Sequence, residues 1–199
     1  MNLPNKLTIF RIILVPIMVI IPFLGLNTIY TNSLIPLTWI IVEAIFITAS
    51  ITDKLDGYIA RSRNQITTFG KFLDPIADKI LVLAAMIMLV QDQRLPAWIP
   101  IIVLFREFIV SGYRLVAVGE NGNVIAASIW GKLKTVTQMF ALIFALIDMN
   151  PYAKCLSGKL NGFALAINII ATVLMTVSVI ATIFSGWDYV KNGKELLKK

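Results

Sequence analysis

Four aspartates carry the most chemistry per residue in this chain. Asp53 and Asp56 stand three positions apart, Asp74 and Asp78 four apart, and both pairs are embedded in strongly apolar sequence. A helix turns about 100° per residue, so residues three and four apart share a face. Asp53, Asp56, Gly57, Ala60 and Arg61 then form one stripe, and Gly70, Asp74 and Asp78 another. A short connection between the two segments makes them antiparallel neighbours, so the stripes can face each other. Four carboxylates at close quarters do not all stay ionised without a counter-charge, and a lipid surrounding makes their burial costlier. Lys54 lies off the stripe, which makes divalent cations the simplest remedy. All-oxygen ligation favours Mg²⁺ or Mn²⁺ over zinc. Four carboxylates suffice for two such ions, an arrangement suited to displacement at phosphorus. The small residues Gly57, Ala60 and Gly70 leave room for a ligand beside the ions, or else mark close helix packing. Arg61 is placed to meet a ligand phosphate, or to reach the interface as a snorkelling cation.

The elements that must position these carboxylates are membrane helices. The 199 residues are 58% hydrophobic and 15% charged, where a soluble domain is about half apolar and about a quarter charged. Six stretches approach the roughly 20 apolar residues that span a bilayer, near 7–26, 36–61, 72–91, 96–118, 125–148 and 161–186. The expected fold is therefore an all-α bundle of six transmembrane helices forming one membrane domain over 1–199. Lys6 and Arg11 ahead of an apolar run imitate a secretory signal. No small-residue cleavage site follows, so this segment is expected to be an uncleaved first helix, with Asn5 and Thr8 capping its start.

Basic residues fall on alternate connections. Lys6 and Arg11, then Lys54, Arg61, Arg63 and Lys71, then Arg114, Lys132 and Lys134, and finally the lysine-rich tail, mark one side. The positive-inside tendency puts both termini and the 61–71 turn in the cytoplasm. The net charge of +7 suits an anionic lipid bilayer and anionic substrates rather than nucleic acid. One cysteine, Cys155, excludes an intrachain disulfide, and the absence of histidine excludes imidazole acid–base chemistry. A general base must then be a carboxylate, Lys or Tyr. Glu43 lies too far along the second span to join the aspartates and has no evident role.

The run "DKLDGYIAR" at 53–61, followed after eight residues by Gly70 and then by Asp74 and Asp78 at four-residue steps, resembles the signature of the CDP-alcohol phosphotransferase family without a departure. The resemblance implies a six-helix membrane enzyme in which an alcohol displaces CMP from a CDP-linked substrate. It implies that Asp53, Asp56 and Asp74 are metal ligands, that Asp78 is the base and touches metal too, and that Gly57 and Arg61 contact nucleotide and pyrophosphate. It also implies a homodimer in the bacterial cytoplasmic membrane.

Three other stretches bear on the acceptor. "NLPNKLTIFRIILVP" at 2–16, "FREFIVSGYR" at 105–114 and "WGKLKTVTQM" at 130–139 are similar to the branch of the family that makes phosphatidylglycerol phosphate from CDP-diacylglycerol and sn-glycerol 3-phosphate. Asn5 and Thr8 are then candidate lipid-nucleotide contacts. Arg106, Arg114, Lys132 and Lys134 are candidate ligands for a phosphate on the acceptor, since charge-assisted bonds suit that group. Inositol phosphate has similar chemistry, and serine is a further acceptor within the reaction class. A cation- or proton-coupled transporter is the rival from another class. It predicts polar residues across the whole bilayer, whereas here the acids gather at one side.

Overall fold

In a computed structural model of the chain, residues 2–25, 35–62, 68–119 and 129–193 are described. Among them every regular element is helical. The helices are α1 (Leu3–Ile20), α2 (Leu37–Ser62), α3 (Thr68–Gln91), α4 (Trp98–Gly119), α5 (Ile129–Ile147) and α6 (Gly162–Gly193). Short 3-10 turns occupy Ile21–Leu24 and Lys154–Ser157. The expected helices are all present, displaced by a few residues at their ends. Residues 63–67 of the 61–71 turn and the tail beyond residue 193 fall outside the described residues.

Three segments are long and apolar enough to cross a bilayer by composition: Asn5–Leu24, Ile129–Ile147 and Gly162–Lys191. The other three helices differ in charge rather than length. α2 carries Glu43, Asp53, Lys54, Asp56 and Arg61; α3 carries Lys71, Asp74, Asp78 and Lys79; α4 carries Arg106, Glu107 and Arg114.

α1 begins earlier than expected. Asn2 takes the capping position in extended conformation, without a side-chain bond, and Pro4 sits in the first turn. Proline is tolerated there because its missing N–H has no intrahelical acceptor. Asn5 and Thr8 therefore lie inside the helix and do not cap it, which corrects the sequence expectation. The chain leaves the following 3-10 turn through Gly25 at φ 65°, a left-handed conformation that favours glycine.

The residues group into two compact units. The first comprises Met1–Arg94 with Ala145–Met149, the second Leu95–Phe144 with Asn150–Lys199. In the first unit α1 packs against both α2 and α3. Its inward face is Asn5, Thr8, Arg11, Val15 and Met18, all buried, a stripe at helical spacing whose first three members are polar. α2 likewise buries Glu43, Ser50, Thr52 and Asp56 beside Val42, Phe46 and Ala49. In the second unit α4 packs against α6, which buries Asn168, Ser178, Thr182 and Ser185. Large apolar side chains face outward instead, among them Phe10, Phe105, Phe108, Phe163 and Trp187. Polar inside and apolar outside is the distribution a lipid solvent demands, because polar groups there must find partners within the protein.

The connection between α3 and α4 holds the first unit together at its far end. Gln93 adopts φ 58°, and this turn directs Arg94 inward. Arg94 Nη1 donates to the carbonyl oxygens of Ala145, Leu146 and Asp148 at 3.4, 3.1 and 2.8 Å. These belong to the end of α5 and the residues just after it, where helix carbonyls lack intrahelical donors and the dipole favours a cation. The guanidinium lies 3.6 Å above the centre of the Trp39 ring and pairs with Asp92 at 2.8 Å. Burial lowers its pKa to about 10 against the raising influence of Asp92 and Asp148, so it is still a cation at neutral pH. The second unit has a comparable pin. Asn168 Nδ2 donates to Pro151 O at 3.1 Å while its Oδ1 accepts from Cys155 N at 2.7 Å.

Arg94→Met is expected to cost about 3 kcal/mol, since hydrogen bonds to a charged donor are each worth roughly 1.5–3 kcal/mol and are not fully additive. Thermal unfolding in detergent, followed by circular dichroism, measures it. A melting temperature equal to wild type would remove Arg94 as the clamp on α5.

Candidate active site

The aspartates lie where α1, α2 and α3 meet. Asp53 and Asp56 are one turn apart on α2, and Asp74 and Asp78 one turn apart on α3. Pro75, directly after Asp74, lies inside α3. Its missing N–H leaves the carbonyl of residue 71 without the usual intrahelical donor.

α1 supplies what binds these carboxylates together. Arg11 is completely buried. Its Nη1 is 2.7 Å from Asp53 Oδ1, and its Nη2 donates to Asp56 Oδ2 at 2.5 Å. One helical turn earlier, Thr8 Oγ1 donates to Asp74 Oδ1 at 2.7 Å. Thr8 and Arg11 share a face of α1, so one helix grips one oxygen of each of three aspartates. Asp56 is buried and within electrostatic range of Arg11, Asp53 and Asp74, whereas Asp53 is partly open to the surface. Asp78 is half-buried, Gly70 buried and Gly57 half-buried.

The donor chemistry suits hard cations, for each gripped carboxylate has a second oxygen beyond its contact with α1. The positions do not yet close on one point. Among the described residues, no three acidic or cysteine side chains are gathered tightly enough to hold a metal ion. Arg11 is the cation between Asp53 and Asp56.

A second polar cluster lies within the second unit. Glu107 Oε1 accepts from Arg106 Nη1 at 3.0 Å and from Lys134 Nζ at 2.6 Å. Arg106 Nη2 also donates to Ser185 Oγ at 2.5 Å, and its guanidinium lies 5.8 Å from the centre of the Tyr189 ring. Helices α4, α5 and α6 thus share one network built on a single carboxylate oxygen and two cations. The guanidinium and the ammonium share one acceptor oxygen in a mostly buried place.

Comparison with known proteins adds to this geometry. Residues 1–184 match the CDP-alcohol phosphatidyltransferase family. The chain belongs to that family. It is 43% identical over 200 residues to the CDP-diacylglycerol–glycerol-3-phosphate 3-phosphatidyltransferase of Bacillus subtilis strain 168, covering 99% of this chain and 97% of that protein. It is 38% identical to the Haemophilus influenzae protein of the same name, covering 97% of this chain and 94% of that protein. It is also 36% identical to a probable phosphatidylglycerophosphate synthase of Mycobacterium tuberculosis, covering 95% of this chain and 80% of that protein.

Within this phosphatidyltransferase family member, the structure gathers some sequence candidates and separates others. Asp53, Asp56 and Asp74 come together through α1, with Asp78 one turn beyond Asp74. Ala60 and Arg61 continue the helix of α2, but their side chains lie outside the described residues, as does that of Arg114 on α4. Arg106 and Lys134 meet at Glu107. Lys132 is exposed two positions before Lys134, about 200° around α5. Of the proposed cationic group, the described side chains therefore join as a pair rather than as a set.

Two readings change. Arg11 is the buried counter-charge of Asp53 and Asp56 and not only a topology signal. Thr8 donates to Asp74 and does not cap the helix. The spacing Asn5, Thr8, Arg11 along one face of α1 is the signal for both. Glu43 is buried, and neither of its carboxylate oxygens meets a hydrogen-bond donor among the described residues. Nothing in the structure explains it.

Glu107→Ala strips two largely buried cations of their shared acceptor. Breaking one side of a buried pair commonly costs 3–5 kcal/mol, so a loss of about 3 kcal/mol is expected, read as a lowered denaturation midpoint. A midpoint within error of wild type would make the network electrostatically unimportant.

Proposed function

We propose that the protein transfers the phosphatidyl group of CDP-diacylglycerol to sn-glycerol 3-phosphate, giving phosphatidylglycerol phosphate and CMP. The observation that carries this reading is the tethering of Asp53, Asp56 and Asp74 to one face of α1 at the junction of three helices, in a chain whose full-length relatives bear the name of that reaction. In this reading the chain forms one membrane domain of six spans with both termini in the cytoplasm, and works as a homodimer in the bacterial cytoplasmic membrane with the site facing the cytoplasm. Helix length supports the span count. α2, α3 and α4 have 26, 24 and 22 residues, and at about 1.5 Å per residue each exceeds the roughly 30 Å hydrocarbon core.

Asp53, Asp56 and Asp74, with Asp78, would hold two divalent cations, Mg²⁺ or Mn²⁺. Bound cations supply neutralisation of the substrate pyrophosphate and of the charge that develops on departing CMP. The chain's own groups do the rest. Gly57, Ala60 and Gly70 leave space at the carboxylates for the nucleotide, and Arg61 pairs with the pyrophosphate. Asn5 and Thr8 line the same end of α1. A hydroxyl oxygen of the acceptor forms a bond to the phosphatidyl phosphorus as the bond to CMP breaks. CMP leaves with that electron pair, and the hydroxyl proton passes to Asp78, the available base in a chain without histidine. Arg106 and Lys134, with Arg114 and Lys132, bind the phosphate of the acceptor. The meeting of Arg106 and Lys134 at one oxygen of Glu107 supports that role, because it brings two cations close enough together to share a phosphate.

Purified protein given CDP-diacylglycerol and sn-glycerol 3-phosphate is expected to release CMP only with added Mg²⁺ or Mn²⁺. Full turnover after exhaustive chelation would sink the metal reading. Asp53→Asn, Asp56→Asn and Asp74→Asn should each abolish turnover and weaken metal binding. Asp78→Asn should lower kcat by about two orders of magnitude or more while retaining CDP-diacylglycerol binding better than the others.

The acceptor assignment is tested separately. Arg106→Ala and Lys134→Ala should raise the KM for sn-glycerol 3-phosphate about 10- to 100-fold, with the KM for CDP-diacylglycerol little changed. If free glycerol serves as well as glycerol phosphate, the acceptor is misassigned.

A further inference from the structure

We propose that Arg11 is a resident counter-cation of the aspartate site. Its positive charge, held between Asp53 and Asp56, lets these helices pack around clustered carboxylates without divalent ions, and it opposes the binding of those ions. The proposal rests on the metal reading given above.

Three observations point this way. Arg11 is completely buried, on the polar stripe that α1 presents to α2 and α3. A guanidinium placed there is costly unless opposite charge surrounds it. Its two terminal nitrogens reach different aspartates, at 2.7 and 2.5 Å. It thus bridges the pair rather than serving one carboxylate. Of its three nitrogens only Nη2 makes a hydrogen bond; Nη1 meets Asp53 as an ion-pair contact, and neither Nη1 nor Nε has a hydrogen-bond partner among the described residues. A hydrogen-bonding clamp would use those donors, whereas a residue whose task is charge need not.

A guanidinium and a divalent cation draw on the same negative charge and repel each other across a few ångströms of protein. Thr8 makes a useful contrast. It grips Asp74 with a neutral hydroxyl, which orients the carboxylate without supplying charge. The site is thus divided between an aspartate pair already neutralised in part from within the fold and an α3 aspartate that is only oriented. Arg11 is accordingly a positioning residue. It touches the metal-binding carboxylates and acts on the reaction through them.

The test compares wild type, Arg11→Met and Arg11→Lys as full chains in detergent. Thermal unfolding is measured in chelator and in saturating Mn²⁺, and Mn²⁺ affinity by electron paramagnetic resonance titration. Methionine keeps much of the length and removes the charge. Arg11→Met should melt well below wild type in chelator, with at least half of that gap closed by Mn²⁺, and should bind Mn²⁺ about tenfold more tightly. Arg11→Lys keeps the charge and should stay within about threefold of the wild-type Mn²⁺ affinity. An equal loss of melting temperature in both conditions, with unchanged or weaker Mn²⁺ affinity, overturns the proposal and makes Arg11 a packing residue. Arg11→Lys behaving like Arg11→Met also overturns it, because geometry rather than charge would then matter. Failure to recover Arg11→Met even in Mn²⁺ overturns it as well. Absence of Mn²⁺ binding by wild type is a distinct result: it removes the metal reading itself, and this proposal with it.

Discussion

A guanidinium sealed from solvent between two aspartates of the next helix is the contact on which the first unit is organised. Arg11 joins α1 to α2, and Thr8, one turn away on the same face, joins α1 to α3. Neither tie is hydrophobic. Lipid chains are as apolar as leucine, so apolar burial gives membrane helices little reason to prefer one another over the bilayer. Buried polar groups that must find partners give a much stronger preference. In this unit the groups that bring the helices together are the same groups that the proposed chemistry uses.

The same logic recurs at two other places. Arg94 sits on the carbonyl end of α5 and stacks on Trp39 of α2. Arg106 and Lys134 converge on Glu107, with Ser185 completing the set from α6. In each case long cations link elements distant in sequence, and the oxygens they meet belong to carboxylates, the backbone or a hydroxyl. Arginine appears at three of the four cations involved. Its fork of donors suits a buried site, because it can satisfy several acceptors at once and is more weakly hydrated than an ammonium.

Function places a further demand on the first unit. Asp53 is partly open to the surface while Asp56 three residues later is buried. That gradient puts one carboxylate where soluble ions can reach it and another where a fixed counter-charge must hold it. The proposed substrates meet at such a boundary, one anchored in lipid and the other dissolved in water.

Much of this was legible in the residues. Composition fixed a helical membrane protein, and apolar segment lengths located its helices to within a few residues. The spacing of Asp53, Asp56, Gly57, Gly70, Asp74 and Asp78 identified the family and a candidate reacting region, because a helix face is a local property set by 3.6-residue periodicity. What the residues alone did not reveal is which partners those faces have. Arg11 reads as a topology signal and Thr8 as a cap as long as α1 is considered by itself. Arg106 and Lys134 read as ligands of one acceptor phosphate, and only the packing of α4, α5 and α6 reveals that both meet Glu107. Counter-charge is a long-range matter: the ion that neutralises Asp56 lies 45 residues away, and no local pattern encodes that distance. Only the packing of α1 against α2 and α3 decides it, because in a low-dielectric interior every charge must be answered by whichever element the fold sets beside it.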